Sequence, residues 1–158
     1  MAQRLAIEHS HHFAAIAVVA ASLSEWLASR FTPSRSMHIL FINGTADPVT
    51  PYVGGRQPGG AQVLSVEDTV KIWANFNGCK KSPEVQEIHG LNGETVVSVF
   101  TYSTCQDRTK VKLYRIEGGG HVWPGESEDL SKSGVGKLSA EIDASEEIWK
   151  FFRSIMDH

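Results

Sequence analysis

Two predominantly apolar stretches stand out in the first third of the chain, at residues 13–20 and 37–42. Neither of them alternates regularly between apolar and polar positions. A strand that is covered on both faces has such a pattern, because neither face needs polar side chains. We therefore interpret both stretches as buried β-strands of the parallel type. Residues 95–102 and 111–115 are rich in β-branched and aromatic residues and predict further strands.

Helical spacing of apolar residues predicts helices between and after these strands. Residues 1–9 suggest a short helix. Ser65, with an acidic residue three positions later, is a capping-box-like start to a second helix, which Gly78 ends. The apolar stripe of that helix consists of Val66, Val70, Trp73 and Ala74. A last helix begins near Asp143. Its stripe consists of Ile148, Trp149, Phe152, Ile155 and Met156, and its spacing indicates core packing.

The order of these elements predicts one α/β domain over residues 1–158. Residues 24–36 are interpreted as a polar connection, and residues 49–60 as a glycine-rich loop. A net charge of -3 and the absence of a basic run argue against a nucleic-acid surface. Residues 13–21, the longest apolar run, are far shorter than the roughly 20 residues that a membrane span needs. We therefore expect neither nucleic acid nor a membrane span.

Two residues are candidates for catalytic chemistry, and each directly follows a predicted strand. His121 comes after three consecutive glycines, where a histidine with a pKa near 6.5 can act as a general base. Asp47 lies in the turn after residues 37–42, at the strand end where open α/β sheets build their sites. Taken singly, each residue is better explained structurally, His121 as a solvated turn histidine and Asp47 as a turn cap before proline.

The order of the two candidates is informative, because the acid precedes the histidine by 74 residues (121 − 47). That interval leaves room for a helix and strands, and an acid followed by a histidine is the second half of an α/β-hydrolase triad. In such a triad the aspartate fixes the tautomer of the imidazole and stabilises the imidazolium. His9, His11 and His12 suggest a metal site, but solvated loop histidines are favoured because no carboxylate or cysteine completes the set. No metal and no cofactor is predicted.

Three motifs in the chain resemble polyhydroxybutyrate depolymerases and feruloyl esterases, a group of secreted α/β-hydrolases. They are N-G-T-A-D-P-V-T-P-Y at residues 43–52, W-A-N-F-N-G-C at residues 73–79 and G-G-G-H-V-W-P-G at residues 118–125. Residues 13–20 match the strand after the nucleophile helix in that group. The resemblance implies a mostly parallel sheet flanked by helices, and a serine esterase that acts on polyester, aryl or acyl esters.

The same resemblance implies roles for individual residues. Asp47 is expected to be the triad acid, His121 the triad base and Trp123 a wall of the acyl or aryl pocket. Cys79 is expected to pair with Cys105 in a disulfide. A protein of this group is expected to be secreted or periplasmic.

One part of the family pattern is missing from these residues, because the chain contains no G-x-S-x-G nucleophile elbow and no upstream histidine–glycine segment for an oxyanion hole. In the family, residues 1–6 would follow the elbow almost immediately. We therefore expect the chain to be the C-terminal half of a hydrolase that is inactive alone and self-associates through the exposed edge of residues 13–20. The alternative is a non-catalytic binding or scaffold remnant of the same fold.

Overall fold

A mixed sheet of five strands is the centre of the fold in the computed structural model, which describes residues 1–79, 82–89, 95–127 and 134–156. The strands are β1 (Ala15–Val19), β2 (His38–Gly44), β3 (Gly55–Arg56), β4 (Gln62–Val63), β5 (Glu84–His89), β6 (Val96–Tyr102) and β7 (Val111–Glu117). The α-helices are α1 (Ala2–Glu8), α2 (Glu25–Ala28), α3 (Val66–Phe76) and α4 (Ala144–Met156). In the sheet the strand order is β1-β2-β7-β6-β5, while β3 and β4 form a separate small hairpin.

The sheet changes from parallel to antiparallel at β7. β1, β2 and β7 run parallel to one another, whereas β6 pairs antiparallel with both β7 and β5. The predicted mostly parallel sheet therefore needs a correction, although the α/β class with flanking helices is confirmed. The connections explain the change, because the short link between β6 and β7 permits only an antiparallel pair, and a parallel pair needs a long crossover. β5 was not predicted at all, since most of its residues are exposed and polar.

Helices cover both faces of the parallel half of the sheet. On one face, α1, α2 and α3 pack over β1, β2 and β7, with the fully buried Trp73 at the centre. The Trp73 ring lies edge-to-face against Phe31, with centroids 4.6 Å apart, and its indole N–H donates to Gln3. On the other face, α4 packs its Phe151 side chain over the alternate residues of the same strands. Burial on both faces explains why β1 and β2 lack a polar alternation.

Serine side chains cap the starts of α2 and α3. Ser65 accepts a hydrogen bond from the amide of Asp68 at 3.0 Å and so begins α3, as the sequence predicted. α3 ends before Gly78, which has a φ of +61°. The predicted polar connection at residues 24–36 contains the short helix α2, capped by the Ser24 side chain. With four residues, α2 is too short to show a helical period.

β1 lies at one edge of the sheet and pairs with β2 alone in the described part of the chain. The strand has no charged residue or proline, which are the usual protections of an exposed edge. Self-association through this edge stays a prediction that size-exclusion chromatography tests. No helix in the described ranges is long and apolar enough to cross a membrane.

A disulfide between Cys79 and Cys105 joins the segment just beyond the end of α3 to the connection between β6 and β7. This confirms the pairing that the resemblance implied. The two cysteines are 26 positions apart, and closing a loop of that length stabilises the fold by about 3 kcal/mol in the chain-entropy model.

We expect the double substitution Cys79→Ser and Cys105→Ser to lower the free energy of unfolding by about 3 kcal/mol in urea denaturation. Thiol titration of the unreduced, denatured wild-type protein should find no free thiol. Two free thiols would contradict the bridge, and an unchanged unfolding midpoint in the double variant would contradict its contribution to stability.

A buried tyrosine connects α4 to the sheet on the side opposite α3. The Tyr114 hydroxyl donates a hydrogen bond to Glu147 and accepts one from the ammonium group of Lys112. Lys150 donates to the other carboxylate oxygen of Glu147 at 2.7 Å. Burial raises the pKa of Glu147, but the hydrogen bonds from Lys150 and Tyr114 outweigh it and leave the pKa lowered.

This arrangement predicts a loss of stability in acid. Because the folded pKa of Glu147 lies below that of the unfolded chain, about 4.3, the carboxylate contributes its full stabilisation above that pH. The contribution disappears as the pH falls through the folded pKa. We expect the free energy of unfolding, measured in urea between pH 6 and pH 3, to fall less steeply in Glu147→Gln than in the wild type. Equal slopes would contradict this assignment.

Candidate active site

The two candidate residues lie on loops that leave neighbouring parallel strands at the same edge of the sheet. Asp47 follows β2, and His121 follows β7. The last paired positions of these strands are Gly44 and Ile116. Because the carboxyl ends of adjacent parallel strands meet at one edge, the fold brings together two residues that are 74 positions apart in sequence.

Asp47 is buried, and each of its carboxylate oxygens has its own partners. The Oδ1 atom accepts hydrogen bonds from the backbone amides of Val49 at 2.8 Å and Thr50 at 2.7 Å. The Oδ2 atom lies 2.9 Å from Nδ1 of His121. The Asp47 side chain is 1% exposed, so these bonds replace the water that the charge loses on burial. The two amides fix the rotation of the carboxylate and leave Oδ2 for the histidine.

His121 has one ring nitrogen bound to the acid and the other free for chemistry. An ionised carboxylate can only accept, so Nδ1 carries the proton and its N–H donates a hydrogen bond to Asp47 Oδ2. In the neutral imidazole the lone pair then lies on Nε2, which is the atom that can take a proton from a reactant. No side chain in the described ranges hydrogen-bonds to Nε2. The His121 side chain is 34% exposed, so a reactant can approach it.

Backbone hydrogen bonds hold the two loops against each other. The amide of Ala46 donates to the carbonyl of Gly119 at 2.9 Å, and the amide of Thr45 donates to the carbonyl of Ile116 at 2.9 Å. In return, the amide of Gly118 donates to the Thr45 hydroxyl at 2.9 Å. These bonds hold the two loops together and so stabilise the 2.9 Å contact between Asp47 and His121.

A third segment supports the histidine from the other side. The amide of His121 donates to the carbonyl of Val135, and the amide of Gly120 donates to the carbonyl of Lys137 at 2.8 Å. Gly120 has no room for a side chain, because an added Cβ would lie 2.4 Å from the carbonyl oxygen of Val135. The imidazole is therefore held through its own backbone as well as through Asp47.

Gly44 allows the closest contact between the loops. A Cβ built at this position would lie 2.1 Å from the carbonyl oxygen of Gly119 and 2.8 Å from that of Gly120. Real Cβ atoms do not approach backbone that closely, so only glycine fits at the end of β2. The sequence marked Gly44 as a turn residue, but the contact with Gly119 depends on the tertiary structure.

Trp123 lies two residues beyond the base, on the wall of a groove of about 870 Å³. The residue is 43% exposed, and its indole N–H donates to the Ser145 hydroxyl at 3.1 Å. The groove runs along the free edge of β1, between α1 and α2 on one side and α4 on the other. Neither Asp47 nor His121 lines this groove. Gln57 does line it, and its side-chain amide donates to the hydroxyl of Thr50, whose backbone amide binds Asp47.

The structure thus places Asp47 and His121 together, with Trp123 close by in sequence and on the wall of the groove. Sequence reasoning missed Thr50 and Gln57, which belong to the predicted loop at residues 49–60. No sequence pattern could have identified Thr50, because it contacts Asp47 through its backbone amide, which every residue except proline has.

His9, His11 and His12 lie at a short 3₁₀ turn. The described residues contain no group of three histidine, cysteine or acidic side chains arranged for a metal.

Comparison with known proteins finds similarity to esterases. The chain is 28% identical to a protein named putative esterase NocK from Nocardia uniformis subsp. tsuyamanensis, over 92% of this chain and 45% of that protein. It is 36% identical to feruloyl esterase B from Piromyces equi, over 57% of this chain and 16% of that protein. No protein-family model matches the chain.

These similarities support a relationship to esterases. They cover the chain unequally, because the match to NocK extends over nearly all of it and the match to feruloyl esterase B over little more than half. The chain spans less than half the length of either relative.

Proposed function

We propose that this chain carries the acid and the base of a serine ester hydrolase of the polyhydroxybutyrate depolymerase or feruloyl esterase type. The observation that carries the proposal is the 2.9 Å contact between Asp47 Oδ2 and His121 Nδ1, with Nε2 left unbonded among the described residues. A buried carboxylate that orients a partly exposed imidazole is the supporting half of a catalytic triad.

In this reaction His121 moves protons and Asp47 stays ionised. Nε2 takes the proton of the attacking serine hydroxyl, and the resulting imidazolium is stabilised by the Asp47 carboxylate. The same proton then passes to the leaving alcohol as the ester bond breaks. In the second half, Nε2 takes a proton from water, whose oxygen attacks the acyl-enzyme. Nε2 then returns the proton to the serine oxygen as the acyl–oxygen bond breaks, which releases the carboxylic acid and restores the serine hydroxyl.

These 158 residues lack the usual motif for the nucleophile, because no G-x-S-x-G occurs among them. We propose that it lies in polypeptide outside these 158 residues, since the relatives extend well beyond the matched region. The missing elbow equally favours the alternative proposal, a binding or scaffold module that has kept the pair without the reaction. A hydrolysis assay distinguishes the two.

The substrate we propose is a polyester or an aryl or acyl ester. The groove beside Trp123 also has Trp26 on its wall, and that residue is 53% exposed. Exposed tryptophans offer flat apolar surface for an acyl chain or an aromatic ring. We also propose a secreted or periplasmic location, supported by the disulfide, because disulfides persist in oxidising compartments.

The test uses two proteins, the 158-residue chain and the product of the whole reading frame that contains its codons. Both are assayed with p-nitrophenyl acetate and with a feruloyl ester. We expect the 158-residue chain to show no turnover above a His121→Ala control, because no serine in the described ranges hydrogen-bonds to Nε2 and the chain has no nucleophile elbow. We expect the product of the whole reading frame to turn over at least one ester.

Each result in this assay has a defined meaning. Turnover by the 158-residue chain that disappears in His121→Ala would mean that one of its own serines is the nucleophile. A product of the whole reading frame that is folded but inactive on both esters would contradict the proposed hydrolase and support the binding module.

A further inference from the structure

A second cavity, of about 350 Å³, lies at the edge of the sheet opposite the Asp47–His121 pair. It sits where β7 begins and β6 ends, beneath the C-terminal half of α4. Its lining includes three lysines, three hydroxyl side chains and one carboxylate. These are Lys110, Lys112, Lys150, Thr101, Ser103, Ser154 and Glu147. The proposed esterase makes no use of this cavity.

The charge around the cavity opposes the charge of the whole chain. Lys150 is paired with two carboxylates, Glu147 at 2.7 Å and Glu146 at 3.4 Å, so the unpaired positive charge comes from Lys110 and Lys112, in a protein whose net charge is -3. Both oxygens of Glu147 are already engaged, one by the Tyr114 hydroxyl and the other by Lys150. The carboxylate therefore does not neutralise the two remaining lysines.

Lys112 is the central group of this site. Its ammonium nitrogen lies 2.7 Å from the Tyr114 hydroxyl and 4.7 Å from the centroid of the same ring. Among the described residues, neither Lys112 nor Lys110 has a carboxylate within 4.0 Å. An ammonium group has three donors, so Lys112 retains two N–H groups for which the described side chains offer no acceptor.

The surroundings of Lys112 disfavour the charged form of its ammonium group. Burial lowers the pKa of its ammonium group, and the nearby charges of Lys110 and Lys150 lower it further against the opposing effect of Glu147. An anion in the cavity would relieve this crowding of like charges and accept the unused N–H groups. The Thr101 hydroxyl, which makes no hydrogen bond within the described part of the chain, is a further donor.

We propose that this cavity binds a dianionic phosphate group through Lys110, Lys112 and Lys150, with Thr101 as an additional donor. A dianion matches the two positive charges of Lys110 and Lys112, which have no carboxylate partner among the described residues, and phosphate oxygens accept from ammonium and hydroxyl groups alike. The group comes either from free phosphate or from a small phosphate monoester, and the volume of the cavity admits both. The site is independent of the proposed ester hydrolysis.

The experiment is a titration of the ¹⁵N-labelled 158-residue chain, followed by amide chemical shifts in two-dimensional NMR. Sodium phosphate and phenyl phosphate are added in separate arms, and sodium chloride at matched ionic strength is the blank. We expect saturable shifts at Thr101, Lys112 and Ser154 that chloride does not produce. Tighter binding of phenyl phosphate would identify a monoester as the ligand, and tighter binding of inorganic phosphate would identify the free ion.

Variants test the residues that the proposal names. Lys112→Met should weaken phosphate binding by about tenfold or more, because it removes a charged donor at nearly constant volume. Lys71→Met is the matched control, since Lys71 is exposed beside Asp68 on α3 and should leave binding unchanged. If Lys112→Met does not fold, Thr101→Val provides the same comparison with a smaller expected loss. Shifts that never saturate, or binding unaffected by both cavity variants, would overturn the proposal.

Discussion

Replacing His121 with alanine in the product of the whole reading frame is expected to lower the kcat for ester hydrolysis by about 10⁶-fold. The substitution removes the Nε2 lone pair that takes the proton from the nucleophile. Asp47→Asn is expected to lower kcat by about 10⁴-fold, because an amide at that position favours the wrong tautomer of the imidazole. The KM should change little in both variants, since neither side chain lines the groove beside Trp123. Initial rates with p-nitrophenyl acetate measure both effects.

The chain offers a matched control for these substitutions. His89 also has a carboxylate neighbour, with its Nε2 atom 3.2 Å from Glu87, but both side chains are more than half exposed on β5. His89→Ala should leave kcat unchanged. A comparable loss in His89→Ala and His121→Ala would indicate a general effect on folding and would contradict a specific role for His121.

Gly44→Ala is expected to reduce activity by at least about 10²-fold although the substitution touches neither catalytic side chain. The added Cβ would lie 2.1 Å from the carbonyl oxygen of Gly119, so the loops that hold Asp47 and His121 must move apart. A displacement of about 1 Å in a catalytic group can cost a factor of that size. The same strain should lower the temperature of thermal unfolding. Activity and calorimetry on one preparation measure both.

Gly59→Ala is the control for Gly44→Ala. It is the same glycine-to-alanine change at a position where nothing lies within 4 Å of the added Cβ. We expect full activity and an unchanged unfolding temperature in this variant. If Gly44→Ala behaved in the same way, the two loops would not be coupled through the end of β2.

The sequence located both residues of the pair without showing that they touch. A buried strand followed by a turn containing Asp47, and a strand followed by three glycines and His121, placed each residue at the carboxyl end of a strand. Local patterns indicate where strands end, because apolar runs and glycine-rich turns are properties of neighbouring residues. They do not indicate which strands are adjacent in the sheet. The pairing of β2 with β7 supplied the 2.9 Å contact.

The antiparallel half of the sheet shows a different limit of sequence reasoning. β5 exposes most of its residues and is mainly polar, so it lacks the apolar run that revealed β1 and β2. Backbone hydrogen bonds to β6 hold β5 in the sheet, and because every residue type can make such bonds, the sequence pattern does not predict them. The direction of β6 likewise depends on the length of its connection to β7.

What the sequence by itself determined is the local structure. The apolar runs of β1 and β2, the Ser65 cap, and the order of Asp47 before His121 can all be read from short stretches, because each depends on neighbours along the chain. The tertiary structure alone decided the features that join distant stretches. These are the contact of Gly44 with Gly119, the amides that hold the Asp47 carboxylate, and the lysines gathered around one cavity. Such contacts depend on which backbone segments the packing of helices on the sheet brings within a few ångströms of each other.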